Sequence, residues 1–191
     1  MSTLKENILQ GRFARIASLG EQIFHIDDLS RLWKISNKNT LRTTLKRYAN
    51  QQLLFRIYRG FYAIKPINKL DPLLLGIKAL HEYSYVSTET VLMKHGIIQQ
   101  LSNTLTLISS KTSRFDIEEN SYYCRQLNDK YLYNPVGIGV NKDGVKIASL
   151  ERAVADMLYF NHEFYFDAFN QINWSKVKKI QKELGYPLTK K

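Results

Sequence analysis

Between Phe24 and Ile64 the chain carries a short amphipathic run, a polar turn, a basic run of helical period and two β-rich stretches, and few small folds accommodate that order. Asp27-Asp28 offers carboxylates to the free N–H groups of a helix start, and Leu29-Ser30-Arg31-Leu32-Trp33 spaces apolar side chains three and four apart. Ser36-Asn37-Lys38-Asn39 is a turn cluster, and Asn39 or Thr40 is placed to cap a second helix that runs to about Asn50 and ends near Gln51-Gln52. On a helical wheel Leu41, Leu45, Tyr48 and Ala49 share one side, while Arg42, Thr43, Lys46, Arg47 and Asn50 share the other. Leu53 to Ile57 and Phe61 to Ile64 are β-rich and flank Tyr58-Arg59-Gly60, where Gly60 can supply the positive φ of a tight turn. The spacing predicts helix, turn, helix and hairpin, the order of a winged helix-turn-helix.

In such a unit the second helix enters a major groove, and the ribbon lays Arg56 and Arg59 along a flanking phosphate backbone or minor groove. The candidate DNA-contacting residues are Lys38, Asn39, Thr40, Arg42, Thr43, Lys46 and Arg47 on the turn and helix, with Arg56 and Arg59 on the wing. A polar helix face with three basic residues is, taken alone, ordinary solvated surface. It is the ordered succession of elements that points to nucleic acid. Winged helices also bind proteins, so a protein-interaction module without DNA binding is the alternative reading.

Charge supports the first reading. The chain carries a formal +11, and residues 1–65 hold 12 Lys and Arg against 4 Asp and Glu, while residues 66–191 hold 16 against 13. An excess concentrated in the reading head favours a polyanion, because neutralised phosphates release condensed counterions. No run approaches the ~20 apolar residues of a membrane span, and Met1-Ser2-Thr3-Leu4-Lys5-Glu6 lacks the apolar core of a signal peptide, so a soluble, cytoplasmic protein with no membrane partner is expected. One cysteine, Cys124, excludes an intrachain disulfide and lies between Tyr123 and Arg125 in a predicted strand, as a small half-buried apolar residue.

Leu4 to about Ser18 has helical period, with Ile8, Phe13, Ile16 and Leu19 forming a stripe, and Gly20 stops it. Pro66 breaks the wing's second strand and places a domain boundary near residue 68. Asp71-Pro72 starts a helix that runs to about Glu82; after Tyr85-Val86, Ser87 caps another from Thr88 to His95, closed by Gly96. Period two follows in Thr104 to Ile108, Thr112 to Ile117 and Tyr122 to Leu127, with Glu119-Asn120 as a turn, and Val136 to Val140 and Val145 to Ala148 form a further hairpin. Ser149 caps a helix from Leu150 to Tyr159, in which Leu150, Val154, Met157 and Leu158 face a core. The last helix, Asn173 to Leu184, carries lysines at 176, 178, 179 and 182 on more than one face and reads as a solvated helix, followed by the basic end Lys190-Lys191. The expected class is α+β: an N-terminal winged helix-turn-helix over 1–68, then a mixed α/β domain over 69–191 with a mainly antiparallel sheet.

Catalytic constellations are not visible. His25, His81, His95 and His162 lack metal-ligand spacing, no glycine-rich phosphate loop occurs, and Asp116, Glu118 and Glu119 lie at a strand end and turn. Asp143-Gly144-Val145-Lys146 is the nearest approach to a nuclease strand and suits a hairpin turn better. The expectation is a non-enzyme without cofactor or metal, with a nucleic-acid-processing enzyme as the weakest alternative.

Three separated phrases are informative together: Leu53-Leu54 with Arg59-Gly60-Phe61-Tyr62-Ala63 in the wing, Tyr85 to Gly96, and Val145 to Asp156. In this order, over roughly residues 10–160, they resemble the AbiEi family, antitoxins of type IV toxin-antitoxin and phage abortive-infection systems. The resemblance implies a winged helix-turn-helix followed by a mixed α/β domain, and repression of the protein's own operon through inverted repeats at its promoter. It also implies neutralisation of a nucleotidyltransferase-like toxin encoded next door, with no direct contact required. By position it maps the DNA face to Asn39, Thr40, Arg42, Thr43, Lys46 and Arg47, the wing to Arg56, Arg59 and Gly60, and a Ser-Glu-Arg phrase to Ser149, Glu151 and Arg152. Physically, that phrase predicts helix architecture: Ser149 as cap, Glu151 in the first turn, and Arg152 paired with an acid of the sheet. The chain ends soon after the family's C-terminal core, and a domain shortened there is compatible with regulation of transcription without an antitoxin role.

Overall fold

The computed structural model describes residues 2–99 and 103–189, with side chains from Gln10 onward. Ile8 of the first helical stripe and the Lys190-Lys191 end lie outside the described side chains. The fold is α+β, and the chain divides into two compact units, Met1–Asp71 and Pro72–Lys191.

The first unit runs α1 (Ser2–Ala17), β1 (Ile23–His25), α2 (Ile26–Trp33), α3 (Lys38–Asn50), β2 (Phe55–Tyr58) and β3 (Phe61–Ala63). Its three strands form an antiparallel sheet in the order β1-β3-β2. Ile16, Leu29, Trp33, Leu41, Leu45, Tyr48 and Leu54 make a continuous core between the helices and the sheet, with Trp33 stacked on Tyr48 at 5.0 Å. Leu19, expected in the α1 stripe, is 51% exposed, because α1 ends at Ala17 and Gly20 turns the chain at φ +70°. The caps also differ from expectation. His25, not Asp27 or Asp28, caps α2: its Nδ1 accepts from Asp27 N–H while Asp28 accepts from the His25 N–H, a reciprocal capping box. Asn37, not Asn39 or Thr40, caps α3 by accepting from both of their N–H groups at 3.0 Å.

The second unit is a six-stranded mixed sheet in the order β6-β7-β5-β4-β9-β8, built from β4 (Ser84–Val86), β5 (Thr104–Ser109), β6 (Ser113–Ile117), β7 (Asn120–Gln126), β8 (Ile138–Val140) and β9 (Lys146–Ala148). Three of its five pairings are antiparallel, while β5 with β7 and β4 with β9 are parallel. Helix α4 (Pro72–Leu80) lies where Tyr122 donates to the Pro72 carbonyl at 2.8 Å. On the other face, α5 (Glu89–Lys94) meets Arg125 through Glu89, and α7 (Leu150–Phe160) meets it through the Phe160 ring. Helix α6 (Asp129–Leu132) follows β7, and α8 (Trp174–Leu184), capped by Asn173 and closed by Gly185 at φ +75°, packs on α7. On α8 Lys178, Lys179 and Lys182 are exposed, and Lys176 pairs with Glu151 at 3.6 Å. Asp143 lies in the β8–β9 turn, which Asn141 holds by accepting from the Asp143 and Val145 N–H groups, and Lys146 opens β9 opposite Val140.

A buried polar network ties β4 to α7. Arg152 and Asp156 are both 0% exposed and pair at 2.9 Å along α7, so the arginine's partner lies on its own helix rather than in the sheet. The Asp156 carboxylate also accepts from the hydroxyls of Tyr85 (3.1 Å), Ser87 (2.8 Å) and Tyr186 (2.9 Å). Arg152 donates in addition to the Asn134 and Val136 carbonyls and the Tyr85 oxygen. Burial alone lowers the guanidinium's pKa, but the Asp156 carboxylate together with the Tyr85 and Tyr186 oxygens more than offsets it, so Arg152 stays charged. Ser87 is thereby taken from the cap expected of it: Thr88 holds the α5 cap position at φ +50° without a side-chain bond. Ser149 does cap α7, accepting from the Arg152 N–H. Gly137, at φ +71°, is required here, since a Cβ would lie 2.8 Å from that of Arg152. Leu150, placed in the α7 core by periodicity, is only half-buried, while Val154, Met157 and Leu158 are buried.

Cys124 on β7 is fully buried, and burial with the nearby Glu82 pushes its thiol up to about 12. At pH 8 roughly one thiol in ten thousand is then ionised, so the folded protein is expected to resist iodoacetamide and to label rapidly in urea, read by intact-mass spectrometry. Labelling of the folded chain at the rate of a free thiol would contradict this placement.

Candidate nucleic-acid interface

Helix α3 forms because Leu41, Thr44, Leu45 and Tyr48 recur at helical spacing and are buried, which turns the remaining arc to solvent. All nine residues singled out as DNA contacts, Lys38, Asn39, Thr40, Arg42, Thr43, Lys46, Arg47, Arg56 and Arg59, are exposed. At about 100° per residue, Arg42 and Lys46 share one flank of α3, Asn39, Thr43 and Asn50 the centre of its open arc, and Thr40 and Arg47 the opposite flank.

The wing is shaped by two backbone features. Gly60 adopts φ +84° in the Arg59-Gly60 turn, and its carbonyl accepts from the Ile26 N–H at 2.8 Å, fixing the tip to the start of α2. On β2, Ile57 is an extra residue between the pairs Arg56↔Tyr62 and Tyr58↔Phe61, and such a bulge bends a strand and increases its local twist. Helix and wing enclose a cleft of about 430 Å³, lined by Arg42, Lys46, Arg56 and Arg59 over a floor that includes Ile26, Leu45, Ala49 and Tyr62. The structure thus brings four predicted residues to one cleft, with the other five on α3 outside its lining. Ten Lys and Arg and no Asp or Glu occur between residues 29 and 70, so the cleft's positive field meets no carboxylate from this stretch.

No family model and no curated protein matches the chain. The crystal structure of the RV2827C protein from Mycobacterium tuberculosis is similar in fold, with a TM-score of 0.53 at 10% identity over 93% of this chain and 72% of that one. At that identity the likeness is one of fold alone.

Periodicity was sufficient to mark the exposed arc of α3. Periodicity does not reveal the apolar floor: Tyr62 and Ile26 come from β3 and the first residue of α2, which the pairing of β3 with β1 and β2 and the Ile26–Gly60 hydrogen bond bring together. Tyr58, half-exposed and stacked on Phe61 at 5.1 Å, adds an aromatic surface at the wing tip that the sequence did not flag. Among the described residues no group of three His, Cys, Asp or Glu side chains could hold a metal ion, and no helix is long and apolar enough to cross a membrane.

Proposed function

We propose that this chain is a sequence-specific DNA-binding regulator of transcription. In this reading it is an autorepressor of its own promoter and, as the AbiEi resemblance implies, the antitoxin of a cytoplasmic type IV toxin-antitoxin pair. The observation that carries the DNA reading is the cleft in which Arg42 and Lys46 of α3 and Arg56 and Arg59 of the wing converge, with no acidic residue in its lining. Helix α3 offers amides, hydroxyls and cations to base edges in a major groove, while the wing arginines neutralise flanking phosphates. The partner is double-stranded DNA with inverted repeats at the promoter. The functional counterpart is a nucleotidyltransferase-like toxin that need not touch this chain.

The test is a titration of the promoter duplex and a scrambled duplex across a salt series. Expected is saturable binding that prefers the promoter, with log K falling linearly in log salt by about 0.9 per phosphate neutralised. Arg59→Ala is expected to weaken both duplexes alike and to lower that slope by about one. Equal, weak binding to the two duplexes would remove the regulator from consideration. Co-expression with the product of the adjacent gene then tests the antitoxin role: growth rescue supports it, and unrelieved toxicity confines the chain to regulation.

A further inference from the structure

Strand β6 closes one edge of the six-stranded sheet, and among the described residues no strand pairs with its outer side. It joins β7 through two residues, Glu118 and Glu119, so Ile117 and Asn120 form the hydrogen-bonded pair that ends the hairpin. Alternation then turns the N–H and C=O groups of Ser113, Phe115 and Ile117 toward β7 and those of Arg114 and Asp116 outward. Charge along this edge changes sign at its middle. Lys111 and Arg114 precede Phe115, Asp116, Glu118 and Glu119 follow it, and all five charged residues are exposed.

We propose that β6 pairs antiparallel with β6 of a second copy of this chain, about a two-fold axis at Phe115. In that register each Arg114 lies opposite an Asp116 on the same face of the sheet, and Lys111 approaches Glu119 at both ends. The outward N–H and C=O groups of Arg114 and Asp116 are those that a dyad at Phe115 joins, giving four backbone hydrogen bonds and one sheet continuous across both copies. Moving the dyad by one residue sets Arg114 against Arg114 or Asp116 against Asp116, so charge selects the register. So short an edge buries less than the roughly 1,200 Å² of a standard interface. The pair therefore forms at high protein concentration and dissociates on dilution.

Sedimentation equilibrium of the full chain without DNA tests this independently of the proposed function. The weight-average mass is expected to rise from 22.3 kDa toward twice that value between about 10 μM and 1 mM. Arg114→Asp and Asp116→Arg should each lower the association constant about tenfold or more, by placing like charges opposite one another. The double variant Arg114→Asp/Asp116→Arg should restore it to within about threefold. That double variant loses the stacking of Arg114 on Tyr123 at 4.3 Å and the Asp116–Ser121 hydrogen bond at 2.7 Å, so recovery must come from the second copy. A mass of 22.3 kDa throughout, association untouched by either single change, or a swap that fails to restore it would overturn the proposal. The charges would then serve only to blunt an exposed edge.

Discussion

Arg152→Ala is expected to destabilise the second unit by about 3 to 5 kcal/mol, the range for removing one partner of a buried ion pair. The change leaves the Asp156 carboxylate fully buried with three hydroxyl donors and no counter-charge, and it takes donors from the Asn134 and Val136 carbonyls. Arg152→Lys should recover little, because one ammonium cannot reach Asp156, Tyr85 and two carbonyls in the directions the guanidinium fork does. A double change to Arg152→Met/Asp156→Leu is expected to cost less than either single change, since it removes both buried charges together. Cys124 supplies the readout. It is buried in this unit, so the urea concentration at which it labels follows the unfolding of this unit rather than of the first. An Arg152→Ala protein that labels at the same urea concentration as the parent would contradict the network's role.

The same network shows where reading the sequence succeeds and where it stops. Two phrases that carry the family resemblance, Tyr85 to Gly96 and Val145 to Asp156, meet in it: Tyr85 and Ser87 from one, Arg152 and Asp156 from the other. Ser149 was legible as a cap because a cap is local. Asp156, four residues from Arg152 on the same helix, lay within reach of helical spacing, whereas the hydroxyls that complete the network did not, because Tyr85 and Ser87 lie 67 to 71 residues from the groups they bond. Similarly, α3 and the wing were legible from period, while β1 went unpredicted, because three residues cannot display an alternation. At the α3 start, Asn37 and Asn39 are both good caps, and only the resulting backbone path decides between them. In the sheet, the antiparallel hairpins followed from turn residues, although the β6–β7 turn is Glu118-Glu119 and not the expected Glu119-Asn120, because Asn120 pairs with Ile117 as the first residue of β7. The parallel pairs β5–β7 and β4–β9 could not, since no local signal links strands separated by other elements.

Arg42→Ala/Lys46→Ala is expected to cost about 2 to 5 kcal/mol at the promoter, a loss of roughly thirtyfold to several thousandfold, with a smaller effect on scrambled DNA. Both side chains are exposed, and both line the cleft from α3, so their loss removes two of its four cations without opening the core. Unit stability should stay within about 0.5 kcal/mol of the parent, and unchanged thermal melting would separate lost recognition from lost folding. Lys178→Ala/Lys182→Ala on α8 removes the same net charge from an exposed helix face and is the matched comparison. If bulk charge alone drove binding, the two double variants would weaken the complex equally; if the cleft reads DNA, only the α3 pair lowers preference for the promoter. Arg42→Lys sharpens the distinction. It keeps the charge but loses the planar fork that pairs with guanine O6 and N7, so a base contact loses promoter preference while a phosphate contact retains most of its affinity.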